Sequence, residues 1–344
     1  MIRVCVDIMG GDKGPQTIID GVGQALDMFG DAYQLILVGP EEKIREGLKR
    51  IGKEESDPRI KIVNATQVIE MGEHPAKAVR SKEDATINVC ARLVKNGEAD
   101  AFFSAGNTGA CVASSLLTWG RLQGVERPAL ATLFPSEQKP FLLLDAGATP
   151  DCKTEWLMQF GLMGSIFMDK VLHRPQPAIG LLNNGTEPDK GCALTQSAHV
   201  LFANAKEQGF LNFAGNVEGH GIFGGKIDVV VCDGFVGNVF LKSSEQLALA
   251  VAHMLKKAVK KSIWRMLGAV LMVPAFKELK KQTDYNEYGG APLLGVNGIC
   301  IVGHGISDAK AVRNGIKMAG ECVRERVNDT IAECIKSFQA MPKE

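Results

Sequence analysis

The sequence predicts an α/β fold, a three-layer α/β/α arrangement built on a mostly parallel sheet. Short apolar runs of strand length alternate with stretches of helical periodicity along the chain. Nearly every run ends in a polar or glycine-rich turn. The 344 residues, 45% of them hydrophobic, suffice for one large α/β domain with a sizeable core.

Val4 to Asp7 is the first predicted strand and opens into a turn that carries Gly10, Gly11 and Asp12. Leu35 to Val38 and Lys61 to Val63 follow as strands. Ala101 to Phe103 leads through Ser104, Gly106, Asn107, Thr108 and Gly109 into a helix of small and apolar residues that reaches Trp119. Leu130 to Phe134 and Phe141 to Leu144 come next, the latter ending at Asp145. Ile179 to Leu182 ends at Asn183, Val229 to Cys232 ends at Asp233, and Ile299 to Val302 ends in a glycine-rich turn around His304. Loops at the carboxyl ends of parallel strands collect along one edge, so these turns are expected to face a common site.

No Ser/Gly/Pro linker or internal repeat divides the chain, so residues 1–344 read as a single domain. The pattern changes at residues 243–288, where two helical stretches with basic flanks surround an apolar centre. This reads as a helical hairpin rising off the sheet. Its apolar run from Met266 to Phe276 is shorter than the roughly 20 residues a membrane span needs.

Lys and Arg equal Asp and Glu at 39 each, so the overall charge predicts no nucleic-acid partner, and a charged substrate must be handled locally. The nine cysteines are dispersed, with no zinc spacing, and fit ordinary thiols of a reducing cytosol. The first strand begins without the order of a secretory leader, and a cytoplasmic location is expected. The stretch Gly219 to Gly224 spells GxGxxG but runs into the strand Ile227 to Cys232 instead of a helix, so it is not a dinucleotide loop. Walker A, GxSxG and HExxH patterns are absent.

The turn from Ser104 to Gly109 joins a strand to a helix start, where unpaired backbone N–H groups and partial positive charge favour an anion. Asn107 can equally be a plain N-cap. Asp7, Asp145 and Asp233 at strand ends have two roles open, loop bracing through backbone N–H groups or ligand contact. They lack the tight spacing of a cation cage, and no metal is predicted. Lys190 follows one strand-end turn and precedes a helix, where an ammonium can be aimed at an anion or simply be solvated.

Taken together, Met9 to Pro15, Ser104 to Ala110, Gly215 to Glu218, Asp233 to Val239, Glu287 to Gly298 and Ser307 to Lys310 resemble the phosphate acyltransferases of bacterial phospholipid synthesis, the PlsX family. The loop from Asn183 to Asp189 departs from the family's commoner Asn-Ile-Gly-Glu-Glu pattern. The resemblance implies transfer of an acyl group from acyl-(acyl carrier protein) to inorganic phosphate, giving acyl phosphate. It also implies an isocitrate/isopropylmalate dehydrogenase-like fold, a homodimer, loose attachment to the cytoplasmic face of the membrane, and no organic cofactor. By motif position it assigns catalytic importance to Lys190 and Asn238.

Phosphate is already a nucleophile at neutral pH, so the expected site positions it and steadies an oxyanion. The phosphate and substrate contacts expected are Gly10, Gly11, Asp12, Ser104, Gly106, Asn107, Thr108, Gly109, Asp145, Asn183, Asp233, Gly237 and His304, with Lys190 and Asn238 as donors. In the hairpin, Trp264, Leu267, Leu271, Met272 and Phe276 are expected to dip into an anionic membrane surface, with a dimer-interface or core helix as the competing role.

Overall fold

The computed structural model describes residues 1–340, without the side chains of Lys280, Lys281, Thr283 and Tyr285. Lys280 and Lys281, part of the expected basic flank, therefore have side chains outside the described residues.

Strands of the α/β chain are shared between two sheets. The amino-terminal part contributes β1 (Ile2–Asp7), α1 (Pro15–Phe29), β2 (Tyr33–Gly39), α2 (Glu41–Arg50), β3 (Ile60–Asn64), α3 (Pro75–Ser81), α4 (Thr86–Lys95), β4 (Ala101–Ser104) and α5 (Thr108–Trp119). The chain then passes through β5 (Ala129–Leu130), β6 (Thr132–Phe134), β7 (Phe141–Leu144), α6 (Thr154–Lys170), β8 (Ala178–Leu182), α7 (Ala193–Glu207), β9 (Asn212–Val217) and β10 (Val229–Val231). It finishes with α8 (Gly234–Val259), α9 (Ile263–Leu271), α10 (Val273–Thr283), β11 (Ala291–Leu294), β12 (Cys300–Val302), α11 (Ala309–Arg324) and α12 (Val327–Gln339).

One sheet has seven strands in the order β3-β2-β1-β4-β12-β11-β5, and the other has five in the order β6-β7-β10-β8-β9. Central pairings are parallel, and the antiparallel pairings among these strands are β12 with β11, β11 with β5, and β6 with β7. The central strands are apolar on both faces because helices cover both: Val4, Cys5, Val6, Phe102, Phe103 and Phe141 are fully buried. Trp119 satisfies its indole N–H on the Ala91 carbonyl at 2.8 Å.

The sheets meet within six residues. Ala129–Leu130 edges the seven-stranded sheet, Thr132–Phe134 edges the five-stranded one, and the intervening Ala131 N–H donates to Pro292 O at 3.0 Å. Asp145, fully buried at the end of β7, braces this joint. Its Oδ1 accepts the N–H groups of Leu130, Gly147 and Ala148 at 2.8, 3.0 and 3.0 Å, and Oδ2 accepts that of Thr149 at 2.6 Å. Ala146 N–H returns a bond to Leu130 O at 2.9 Å.

The expected hairpin is a 26-residue helix, α8, followed by two short returning helices. Pro274 stands in the first turn of α10, where its missing N–H is tolerated and its ring ends α9. Within α8 only Gly234 and Gly237 are buried, and α9 has no buried residue. Trp264 is 78% exposed and Leu271 83%; Leu267 and Met272 are also exposed, and Phe276 is half-buried.

Removing the Asp145 brace leaves four buried or half-buried N–H groups without an acceptor. Asp145→Ala is expected to lower stability by about 3 kcal/mol or more, read from the urea midpoint; a midpoint within error of the parent would remove the residue from the joint.

Candidate active site

The glycine-rich turns converge in two groups of three, and this corrects the expectation of one common row. The turns after β1, β4 and β12 stand side by side because those strands are adjacent and parallel in one sheet. Those after β7, β10 and β8 are side by side in the other.

The first group is knitted by short bonds. Ser104 Oγ donates to Asp7 Oδ2 at 2.7 Å and accepts Gly106 N–H at 3.1 Å, while Met9 N–H donates to Asp7 Oδ1 at 3.0 Å. Asp12 N–H donates to Gly305 O at 2.7 Å, and Gly303 N–H to Ser104 O at 2.8 Å. A Cβ on Gly10 would lie 2.8 Å from the backbone nitrogen of Gly106, so the first two turns touch backbone to backbone and admit only glycine there. Burial pushes the carboxyl of Asp7 above the usual carboxylate range, against the bonds from Ser104, Thr86, Met9 and Gly10.

Asn107 is the N-cap of α5. Its Oδ1 accepts Ala110 N–H at 3.0 Å, and its Nδ2 donates to the carbonyls of Glu70 and Met71 at 3.1 and 3.2 Å. Its polar side-chain atoms are thus engaged within the protein, and the groups left to an anion at this helix start are backbone N–H groups.

Two cavities adjoin these turns. A polar one of about 220 Å³ is lined by Asp7, Gly10, Gly11, Glu70, Gly106 and Asn107, among others. The other, about 290 Å³, has apolar walls from Leu130, Leu133, Leu241 and Val302 and polar groups from Thr108, Glu245 and His304. Asp12 and Met71 line both. His304 Nε2 lies 3.6 Å from Glu245 Oε1 across the larger cavity, and its Nδ1 accepts Ile306 N–H at 3.3 Å. The Glu245 carboxylate raises the His304 imidazole above its ordinary value, with burial opposing it.

The second group of turns lines neither cavity. Asp145 spends its carboxylate on the joint, and burial pushes its carboxyl up against those bonds. Asp233 caps α8, accepting Phe235 and Val236 N–H at 3.0 and 2.9 Å. Both fill the bracing role. Gly237 is buried, and its Cβ would fall 1.9 Å from the Asp145 carbonyl oxygen. Asn238, one residue on, is half-buried with its amide against Gly147. Asn183 Nδ2 donates to Lys190 O at 3.1 Å, and the Lys190 side chain is exposed.

Sequence reasoning missed Met71, Glu245 and Tyr288 as cavity residues. Met71 sits in an irregular stretch with no periodicity, and Glu245 reads as one more polar position on a helix. Among the described residues no cluster of three or more His, Cys, Asp or Glu could hold a metal ion. The stretch after Gly219 forms a single turn of 3-10 helix before β10, as the sequence requires.

A phosphotransacetylase from Streptococcus pyogenes has a similar fold, with a TM-score of 0.64 at 16% identity over 94% of each chain. The chain belongs to the phosphate acyltransferase family, whose model, described as fatty acid synthesis protein, matches residues 2–330. It is 48% identical to the phosphate acyltransferase of Desulfitobacterium hafniense over 98% of this chain and 99% of that one. It is 45% identical to that of Pelotomaculum thermopropionicum over 98% and 96%. The protein is an acyltransferase.

A carboxyl raised by burial destabilises the fold in its charged form, so its cost is absent below the unfolded value and grows as pH rises through the folded one. Asp7→Asn is therefore expected to raise the urea midpoint over the parent at pH 8, and the gain should shrink toward pH 4. A gain independent of pH would show that the carboxyl titrates alike in both states.

Proposed function

We propose that this protein transfers a fatty acyl group from acyl-(acyl carrier protein) to inorganic phosphate, releasing acyl phosphate and free carrier protein for phospholipid synthesis. The observation that carries the reading is the pair of adjoining cavities, one polar and edged by backbone N–H groups, the other with apolar walls, sharing Asp12 and Met71. A phosphate held by the N–H groups at Gly10, Gly11 and from Gly106 to Gly109 would stand beside a thioester whose acyl chain follows the apolar walls.

In this reading a phosphate oxygen attacks the thioester carbonyl, the C–O bond forms, and the carbon–sulfur bond breaks as the thiolate leaves. Lys190 and the Asn238 amide, five residues into the start of α8, donate to phosphate or to the developing oxyanion. Burial favours the protonated form of Asp7, which lessens repulsion of the incoming anion. Positioning and fixed dipoles supply the rate, and no acyl-enzyme is required.

The exposed hairpin fits association with an anionic membrane. Trp264, Leu267, Leu271 and Met272 present apolar surface between lysines 256, 257, 260, 261 and 277. None of the described helices is long and apolar enough to cross a bilayer. We read residues 1–344 as one domain acting as a homodimer at the cytoplasmic membrane face, with the hairpin of 243–288 available to the bilayer or to a second copy.

Incubation with palmitoyl carrier protein and phosphate, with acyl phosphate trapped by hydroxylamine, tests the activity. Loss of thioester must depend on phosphate, and palmitoyl-CoA at equal concentration should be used more slowly; the reverse preference would reassign the donor. Lys190→Ala and Asn238→Ala should each reduce kcat by about a hundred- to a thousand-fold while circular dichroism stays unchanged; near-parental turnover in both would remove them from the mechanism. In flotation with vesicles containing anionic lipid, Leu271→Glu with Met272→Glu should leave the protein unbound. Undiminished flotation of that double variant would place the contact elsewhere.

A further inference from the structure

Gly215 to Glu218 is one of the motifs by which the chain resembles its family, yet none of these residues lines either cavity. Its place in the fold gives it a task. In the pairing of β8 with β9, Ile179 faces Phe213 and Leu181 faces Asn216, so one residue of β9 is extra. The bulge includes Gly215, whose φ of +101° is costly for any other residue. Without it, Asn216 would alternate to the face opposite Phe213. With it, both side chains share the face on which α7 packs.

Asn216 is buried there and spans two elements. Its Oδ1 lies 3.0 Å from His199 Nδ1 of α7, and its Nδ2 donates to the Glu187 carbonyl at 2.7 Å. Because Nδ2 is committed to that carbonyl, Oδ1 is the end presented to His199, and Nδ1 is the nitrogen that bears hydrogen. His199 is fixed in turn by its ring, edge-on to Phe213 at 5.2 Å.

The Glu187 carbonyl also accepts Lys190 N–H, at 3.2 Å. Asn183 Nδ2 holds the Lys190 carbonyl, and Gln196 Nε2 holds that of Asp189 at 2.6 Å. Gly185 is buried against the Lys190 stem, its Cβ position 2.5 Å from Lys190 Cγ. The exposed lysine therefore stands on a turn whose carbonyls are pinned by neutral amides from the end of β8, from β9 and from α7.

We infer that Asn216, set on the α7 face by the Gly215 bulge and oriented by His199, is a positioning residue that fixes the turn carrying Lys190. This rests on the proposed role of Lys190 in acyl transfer to phosphate. Asn216→Asp keeps the size but presents an acceptor to the Glu187 carbonyl, so the turn is released.

The test is a double-mutant cycle on the full-length protein, with kcat and both KM values measured for the parent, Asn216→Asp, Lys190→Ala and the double variant. Asn216→Asp should lose about ten- to a hundred-fold in kcat with both KM values within about twofold, and the double variant should be no slower than Lys190→Ala alone. A residue that merely holds the fold would slow the Lys190→Ala background as much as the parent, and multiplied losses would overturn the proposal. Unchanged kcat in Asn216→Asp would do the same. Should that variant not fold, His199→Phe keeps the ring on Phe213 and removes the bond that orients the amide. It should show a smaller loss of kcat, again absent in the Lys190→Ala background; a loss that persists there counts against the proposal. Multiplied losses in an active enzyme overturn only the role of Asn216. A parent that consumes no thioester in the presence of phosphate overturns the acyl-transfer reading, and this inference with it.

Discussion

A single buried carboxylate sets the relation between the two halves of this molecule. Asp145 ends β7 in the five-stranded sheet, and one of its bonds goes to Leu130, the edge of the seven-stranded sheet; three more fold its own loop around it. The chain crosses between sheets at Ala131, so this carboxylate ties the end of one sheet to the edge of the other. The larger cavity takes Leu130, Thr132 and Leu133 from that crossing, and further walls from α8, from Tyr288 to Ala291 at the start of β11, and from the end of β12 with its turn. Burial raises this carboxyl above its ordinary value, and the N–H dipoles aimed at it offset part of that cost.

The same economy of charge runs through the turns. Among the residues lining the two cavities none is Lys or Arg, and the polar cavity has carboxylates in Asp7, Asp12 and Glu70. Within these linings an anion meets backbone N–H groups at the start of α5 and along Gly10 and Gly11, together with the raised affinity of Asp7 for a proton; the proposed donors Lys190 and Asn238 belong to the second group of turns, outside both linings. Such donors are fixed by the fold and need no reorganisation as charge moves, unlike a flexible ammonium.

Much of this was legible in the residues. Strand runs such as Ala101 to Phe103 are apolar on both faces because helices cover both, so they announce parallel strands, and the turns after them announce the edge where a site belongs. The division into two sheets was hidden because Leu130 to Phe134 reads as one strand; nothing local marks Ala131, whose N–H still bonds Pro292 of β11 while Thr132 already pairs with Leu143 of β7. The bracing roles of Asp145, Asp233 and Asn107 were legible only as alternatives, since bracing and ligand contact call for the same side chain, and the distant partners of Asp145 and Asn107, Leu130 and the Glu70–Met71 carbonyls, leave no mark in local spacing. Glu245 and Met71 reach the cavity by tertiary packing, which leaves no trace in spacing.

The root of α8 is a further consequence of the way the turns pack. Its first turn is clamped under the Asp145 loop, with Gly234 N–H on Thr149 O at 2.9 Å, while the remainder of its length, about 39 Å overall at 1.5 Å per residue, carries no buried residue. Asn238 and Glu245 stand on the anchored part of this helix, whereas Trp264 and Leu271 lie beyond its far end on α9, so the cavity wall and the exposed apolar surface belong to one continuous stretch of chain.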